Sequence, residues 1–191
     1  NKYALCLCGF KIFYIVNVRT EYSLKKNYEI KCRIEDRGSI ENINKALSKY
    51  KHTTEKQIDI YYKTGDGRLK LRIINDTDGS LIQYNRAEKK NKRISKYTIS
   101  KTKDFKELDY ILRKQLEVLV IVTKVREIFI HENIRVHIDN VKGLGRFLEI
   151  EIIYTELAKA ECEMKKLITQ LKLDERKFIK ESYSDLLINR I

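Results

Sequence analysis

The segment Gly143-Leu144-Gly145-Arg146-Phe147-Leu148-Glu149-Ile150-Glu151 places two carboxylates two residues apart among apolar side chains. In an extended strand alternate side chains share a face, so Glu149 and Glu151 stand together while Leu148, Ile150 and Ile152 face the other way. Neighbouring carboxylates repel each other unless positive charge lies between them or across from them. A divalent cation or a wall of Lys and Arg would supply it. The wall is written in the other alternating segments. Arg68, Lys70 and Arg72 share one face of Arg68-Leu69-Lys70-Leu71-Arg72-Ile73, and Glu29, Lys31 and Arg33 share one face of Glu29-Ile30-Lys31-Cys32-Arg33-Ile34. Lys124 and Arg126 share a face within Leu119 to His131, as do Arg135, His137 and Asp139 further on, and Arg86 closes the run from Ser80. Each pattern alone describes an antiparallel sheet with one solvated face. Together they say more, because cations dominate most of the polar faces and the acids gather on two strands.

A formal charge of +13, from 40 Lys+Arg against 27 Asp+Glu, makes anions the expected partners. Nucleic acid, nucleotides, polyphosphate and anionic membrane all qualify on charge. With 191 residues, 42% of them hydrophobic, the chain is expected to bury one good core. Four cysteines without regular spacing make no disulfide framework and point to a reduced, cytoplasmic setting. Cys6 and Cys8 form a C-x-C pair that nothing completes, and His52, His131 and His137 show no ligand spacing. Residues Tyr3 to Val18 are largely apolar but are interrupted by Gly9 and Lys11. That run falls short of the ~20 residues a membrane helix needs, so no membrane association is expected. For residues 1–24 a weak signal-like segment, an extra β element and a non-native extension all stay open.

Three amphipathic stretches are expected to be helices, with Ser39, Asp104 and Thr155 as their N-caps, the third running to about Lys172. Ser182 is expected to cap a short helix from Tyr183 to Ile188. Strands are predicted at 27–34, 57–63, 67–74, 80–86, 96–102, 119–131, 134–140 and 146–154, with hairpin turns at Asp66-Gly67 and Asp78-Gly79. Lysine-rich Glu88 to Lys96 reads as a mobile surface loop. The fold class is therefore α+β with a mainly antiparallel sheet. Eight strands suffice to close a small barrel. Closure would turn the charged faces inward and leave the apolar faces to be covered by helices from outside. No P-loop, dinucleotide fingerprint, nucleophile elbow or H-E-x-x-H motif is present.

The ordered set of segments resembles one family. It comprises Asn27-Tyr28-Glu29-Ile30-Lys31-Cys32-Arg33, Gln57-Ile58-Asp59-Ile60-Tyr61-Tyr62, Gly67 to Arg72, Leu81 to Arg86, Lys124-Val125-Arg126, His137 to Gly145, Phe147 to Glu151 and Ser182 to Leu187. In that order, over about 27–188, they are similar to the CYTH domain proteins. These are the triphosphate tunnel metalloenzymes, which include class IV adenylyl cyclases and thiamine triphosphatases. The resemblance implies one domain over 25–190, folded as an eight-stranded antiparallel closed barrel, the triphosphate tunnel, with helices packed outside. It implies that Lys31, Arg33, Lys70, Arg72, Arg86, Lys124 and Arg126 hold triphosphate oxygens. It implies that Glu29, Glu149 and Glu151, with Asp139 as a further ligand, hold Mg²⁺ or Mn²⁺, and that Glu29, Lys31 and Arg126 take part in catalysis. One position departs from the family's E-x-E-x-K opening: Asn27 stands where the first glutamate is expected. An amide oxygen is a neutral, weaker ligand for a hard cation, so the number of metal ions stays open.

The first functional expectation is metal-dependent hydrolysis of inorganic triphosphate, thiamine triphosphate or a nucleoside triphosphate. The second is conversion of ATP to cyclic AMP and pyrophosphate, which requires in addition a pocket for the base and ribose. The third is a non-catalytic protein that binds RNA or polyphosphate. Paired acids among the cations speak against the third, because carboxylates repel phosphate unless a metal intervenes. Lys89, Lys90, Lys92, Arg93 and Lys96 would give weak, nonspecific nucleic-acid affinity at most. Self-association as a homodimer is left open.

Overall fold

The computed structural model describes residues 25–34, 37–89 and 92–190, the side chains at 25, 37, 86–89 and 92–93 excepted. The apolar N-terminal run and the Cys6–Cys8 pair lie outside the described residues. Eight strands alternate with four helices and one short 3₁₀ turn. The strands are β1 Lys25–Arg33, β2 Lys51–Tyr62, β3 Arg68–Ile74, β4 Asp78–Lys89, β5 Lys92–Thr102, β6 Val118–His131, β7 Ile134–Val141 and β8 Gly145–Ile153. All pair antiparallel and close into a barrel in the order β1-β5-β4-β3-β2-β6-β7-β8. The helices are α1 Arg37–Ala46, α2 Phe105–Gln115, α3 Leu157–Gln170 and α4 Tyr183–Ile188. The chain thus adopts the expected class, a closed antiparallel barrel with its helices outside.

Strand alternation decides which way the barrel faces. Ile30 of β1, Val136 and Ile138 of β7 and Leu148, Ile150 and Ile152 of β8 point outward, where Ile43 and Leu47 of α1 and Ala160, Met164 and Leu167 of α3 cover them. Across the barrel, Ile60 and Tyr62 of β2 and Leu71 of β3 pack under Phe105, Leu108 and Leu112 of α2. Each buried Leu or Ile contributes roughly 1.5–3 kcal/mol, so the wall is held together from its outside. The helix α2 sits close to the sheet because Gly79 lies beneath it, where an added Cβ would collide with Phe105. Both α1 and α2 join strands that are not neighbours in the barrel, which is why they cross its outer surface. No helix among the described residues is long and apolar enough to cross a membrane.

One end of the barrel is plugged by α4. Ser182 caps it with the full reciprocal box, its Oγ accepting from Asp185 N while Asp185 accepts from Ser182 N. Arg68 at the start of β3 ties the helix down, donating to Ser182 Oγ at 2.8 Å and pairing with Asp185 at 2.8 Å. Tyr183 then enters the lumen and meets Phe147 edge-on, ring centroids 4.9 Å apart.

Several local expectations need correction. The β3–β4 turn is made by Asn75 and Asp76, both at positive φ, and Asp78-Gly79 already belongs to β4. Within Glu88 to Lys96 the described residues are strand, not loop: β4 runs to Lys89 and β5 starts at Lys92, with Glu88 paired to Arg93. Backbone pairing there does not depend on apolar side chains, which is all the sequence lacked. Likewise β2 starts at Lys51, six residues early, because its polar first half is paired along β6. Ser39 lies inside α1 rather than capping it. Asp104 holds the N-cap position of α2 but makes no side-chain cap, its own N–H being taken by Thr102 Oγ1. The N-cap of α3 is Glu156, one residue beyond Thr155.

Candidate functional site in the barrel lumen

The lumen is built from the inner positions of all the strands. Asn27, Glu29 and Lys31 of β1, Asp59 and Tyr61 of β2, Lys70 and Arg72 of β3, Lys124 and Arg126 of β6 and Glu149 and Glu151 of β8 line one cavity of about 150 Å³. Ile82 and Tyr84 of β4 with Ser95, Tyr97 and Ile99 of β5 form its less charged wall, and Tyr183 reaches it from α4.

Charge in this cavity is interleaved. Asp59, 1% exposed, receives Lys70 Nζ at 2.9 Å and Arg72 through Nε at 2.7 Å and Nη2 at 2.8 Å, with Lys124 Nζ at 3.9 Å. Burial would raise this carboxyl, but the charges of Arg72 and Lys70 and the hydrogen bond from Arg72 hold it well below the usual carboxylate range. On the other side, Arg126 grips Asp139 through Nε at 2.6 Å and Nη2 at 2.5 Å and reaches Glu149 Oε1 at 2.9 Å. Lys31, directly opposite Glu149 in the β1–β8 register, meets its Oε2 at 3.2 Å. Burial opposes the Glu149 charge, yet Lys31 and Arg126 keep its carboxyl well below the ordinary range. Lys124 lies between the two clusters. Burial, then the Arg126 charge, outweigh the nearby carboxylates and pull its ammonium down to about 7. Tyr183 stacks under both lysines, its ring 4.0 Å from Lys31 Nζ and 5.2 Å from Lys124 Nζ. Burial, then the Glu149 and Asp139 charges, push its ionisation well up and keep the phenol neutral.

The acids gather beside β1 and β8. Glu29 pairs directly with Glu151, and His137 of β7 lies directly opposite Glu149. One ligand atom from each of His137, Glu149 and Glu151 lies within 4.8 Å of the others. Asn27, two residues before Glu29 on the same face, is buried, and its Oδ1 has no hydrogen-bond partner. A buried acceptor without a donor is costly, and on the cavity wall that also carries Glu29 and Glu151 it suits a cation. The residues present therefore fit a divalent ion.

Most of the expected site residues meet here, and some do not. Lys31, Lys70, Arg72, Lys124, Arg126, Glu29, Glu149 and Glu151 share the lumen. Arg33 has the inward register but sits below the cavity at the plugged end, donating to Leu144 O at 2.8 Å over the Phe147 ring. Asp139 is fully buried behind Arg126 and is not among the residues grouped with Glu149 and Glu151. The Arg86 side chain lies outside those described. Sequence reasoning passed over Asp59, Tyr183 and His137. The histidines were judged by spacing along the chain, whereas the β7–β8 register brings His137 to Glu149.

The profile of the CYTH domain matches residues 25–183. A Methanocaldococcus jannaschii protein provisionally named an adenylate cyclase is 30% identical over 176 residues, covering 83% of this chain and 96% of its own. Among solved structures, the PH1012 protein of Pyrococcus horikoshii superposes with a TM-score of 0.74 at 22% identity, covering 84% of this chain and 98% of its own. A Hippeastrum protein superposes with a TM-score of 0.62 at 14% identity, covering 86% of this chain and 95% of its own; it is described as an adenylyl cyclase candidate with a dominant triphosphatase activity. Fold, lumen and profile agree, and the chain belongs to the CYTH domain family.

Proposed function

We propose that this protein hydrolyses a triphosphate bound in its lumen, with Mg²⁺ or Mn²⁺ as cofactor. The substrate is inorganic triphosphate or one carrying thiamine or a nucleoside. The observation that carries this reading is the convergence of Lys31, Lys70, Arg72, Lys124 and Arg126 with Glu29, Glu149 and Glu151 around one cavity. A site meant only to hold polyanion gains nothing from carboxylates, which repel phosphate. A site that binds phosphate together with a cation needs both. The five cations would spread along the phosphate oxygens, and charge fixed in place by the barrel stabilises the developing charge of phosphoryl transfer. Water adds to the terminal phosphorus as its bridging P–O bond breaks, releasing phosphate and the shortened chain. Glu29, Glu149 and Glu151, with Asn27 Oδ1, would hold the divalent ion, which supplies charge neutralisation and Lewis acidity.

A second reading, cyclisation of ATP to cyclic AMP and pyrophosphate, is favoured by the name of the Methanocaldococcus jannaschii relative. Hydrolysis leads because it needs no separate base pocket, and because triphosphatase activity is the dominant one ascribed to the Hippeastrum protein. The deciding assay incubates metal-stripped protein with inorganic triphosphate, thiamine triphosphate or ATP, with Mg²⁺ or Mn²⁺, and identifies the products. Phosphate release is expected. Cyclic AMP as the main product from ATP would replace this reading with the second. Glu149→Gln is expected to lower turnover by roughly 10²-fold or more, since it removes a charge and a ligand together. Turnover that survives both excess chelator and this substitution would remove the carboxylates from the mechanism.

A further inference from the structure

The β7–β8 register sets His137 opposite Glu149, with Glu151 two residues along the same face. His137 is 3% exposed, and its Nδ1 lies 3.4 Å from Glu149 Oε1. The three residues offer ligand atoms within 4.8 Å of one another, a spread that small side-chain rotations close to the separation of donors on one ion. An independent sign of a ligand in this lumen is Asn27 Oδ1, a buried acceptor with no partner. We propose that His137 is a nitrogen ligand of the lumen cation, and that it makes the site select Mn²⁺ and similar transition ions over Mg²⁺.

The chemistry of the donor set carries this choice. Mg²⁺ demands near-octahedral oxygen at about 2.0–2.1 Å and gives up its waters reluctantly. Imidazole adds little for such an ion and more for first-row transition ions, of which Mn²⁺ is the weakest binder in the Irving–Williams order. A neutral nitrogen also brings affinity without a further negative charge beside Glu149 and Glu151. That matters here because Glu149 is already shared by Lys31 at 3.2 Å and Arg126 at 2.9 Å, and an entering ion competes with both. The competing role for His137 is that of a positioning residue, which only hydrogen-bonds Glu149 and orients it. The proposal rests on reading the lumen as a divalent-cation site, but it concerns only which ion binds and through which atom.

The test uses chelator-stripped full chain without any triphosphate. Mn²⁺ is titrated by electron paramagnetic resonance, directly bound nitrogen is sought by pulsed methods, and Mg²⁺ is added as competitor. The expected result is a ¹⁴N coupling that changes to the ¹⁵N pattern when histidine is isotopically labelled. Half-displacement of Mn²⁺ should require Mg²⁺ in clear molar excess over Mn²⁺. His137→Asn should abolish the coupling and most of the preference. Labelling keeps the proposal testable if that variant does not fold, and His52 and His131, on outer positions of β2 and β6, cannot supply the signal from the lumen. Bound Mn²⁺ without nitrogen coupling, equal competition by Mg²⁺, or no Mn²⁺ bound at all would each overturn the proposal. Triphosphate turnover on the same preparation separates the two readings. Nitrogen-coupled Mn²⁺ without turnover keeps the ligand and removes the hydrolase; turnover with uncoupled Mn²⁺ does the reverse.

Discussion

Asp59 is the resident anion of the cationic row. It holds Lys70 and Arg72 in the lumen and shares Lys124 with Asp139, at 3.9 Å and 3.7 Å. Removing one member of a buried charge cluster costs about 3–5 kcal/mol because the partners stay buried and uncompensated. Asp59→Asn is therefore expected to destabilise the ligand-free protein by about that much. Inorganic triphosphate should restore more stability to the variant than it adds to the parent, since it replaces the lost charge. The pH dependence follows from the direction of the shift. The folded carboxyl titrates below its unfolded value of about 3.9, so its contribution is present above about pH 4 and is lost as pH falls toward the folded value. Urea unfolding between pH 2.5 and 7 should show a flatter acid limb for the variant; identical limbs would mean Asp59 is not the group that couples folding to acid. The importance of Asp59 was not legible in the sequence. Alternation puts it on the same face as Gln57 and Tyr61, but its partners come from β3 and β6, and the strand order that places β2 between them is not written in any one segment. His137 was hidden for the same reason. Glu149 and Glu151 were legible because their pairing is local.

At the scale of elements, α4 is six residues long and too short to be stable alone. Three things hold it: the Ser182 capping box, the Arg68 tie and the insertion of Tyr183. Ser182→Ala removes the cap and one of three acceptors for Arg68, leaving Ser184 and Asp185, and should cost about 1 kcal/mol. The cost should be local. Hydrogen exchange at Leu186 and Asn189, whose N–H groups close the helix onto Ser182 and Asp185, should speed up by roughly 5-fold, while amides of β7 and β8 keep their protection. Equal loss throughout the barrel, or none in α4, would show that the plug is held by something else. This helix was legible in full, because a capping box is a contact between residues three apart. Asp104 was placed correctly at the N-cap of α2, but the Ser39 and Thr155 caps were not legible, because several residues near a helix start compete and packing against the barrel decides among them. The displaced β3–β4 turn belongs with these: Asp78-Gly79 is a good turn pair in isolation, but β4 needs Gly79 under α2, and the chain turns at Asn75-Asp76 instead.

Taken over the whole molecule, the +13 charge is not concentrated in the lumen. Among the described residues, the cavity is lined by the cations Lys31, Lys70, Arg72, Lys124, Arg126 and Arg135 and by the carboxylates Glu29, Asp59, Glu149 and Glu151, with Asp139 behind them. Six against five is close to balance. Alternation told which side chains turn inward, but the closure that gathers them came from the family resemblance, since one-faced strands fit an open sheet equally well. Near-balance has a consequence for binding. A bare triphosphate would make the lumen strongly negative and a bare cation would make it more positive, so each should bind measurably alone and more tightly beside the other. Linkage requires the two improvements to be equal. The expected factor lies in the range of about 5–150-fold typical of such coupling, measured as the dissociation constant of inorganic triphosphate with and without Mn²⁺, and of Mn²⁺ with and without triphosphate, after correcting for the complex they form in solution. Glu149→Gln should shrink the factor, and Asp59→Asn should tighten triphosphate in the absence of metal, because it leaves the lumen more positive. The outer charge should affect the approach of the anion, so raising salt should slow association and leave the coupling factor nearly unchanged. A protein that simply collects polyanions on its basic surface behaves otherwise: it binds triphosphate equally well in chelator and releases it as salt rises. Observing that pattern would mean that the acids of β1 and β8 take no part in binding, and the metal-coupled reading of the lumen would fall with them.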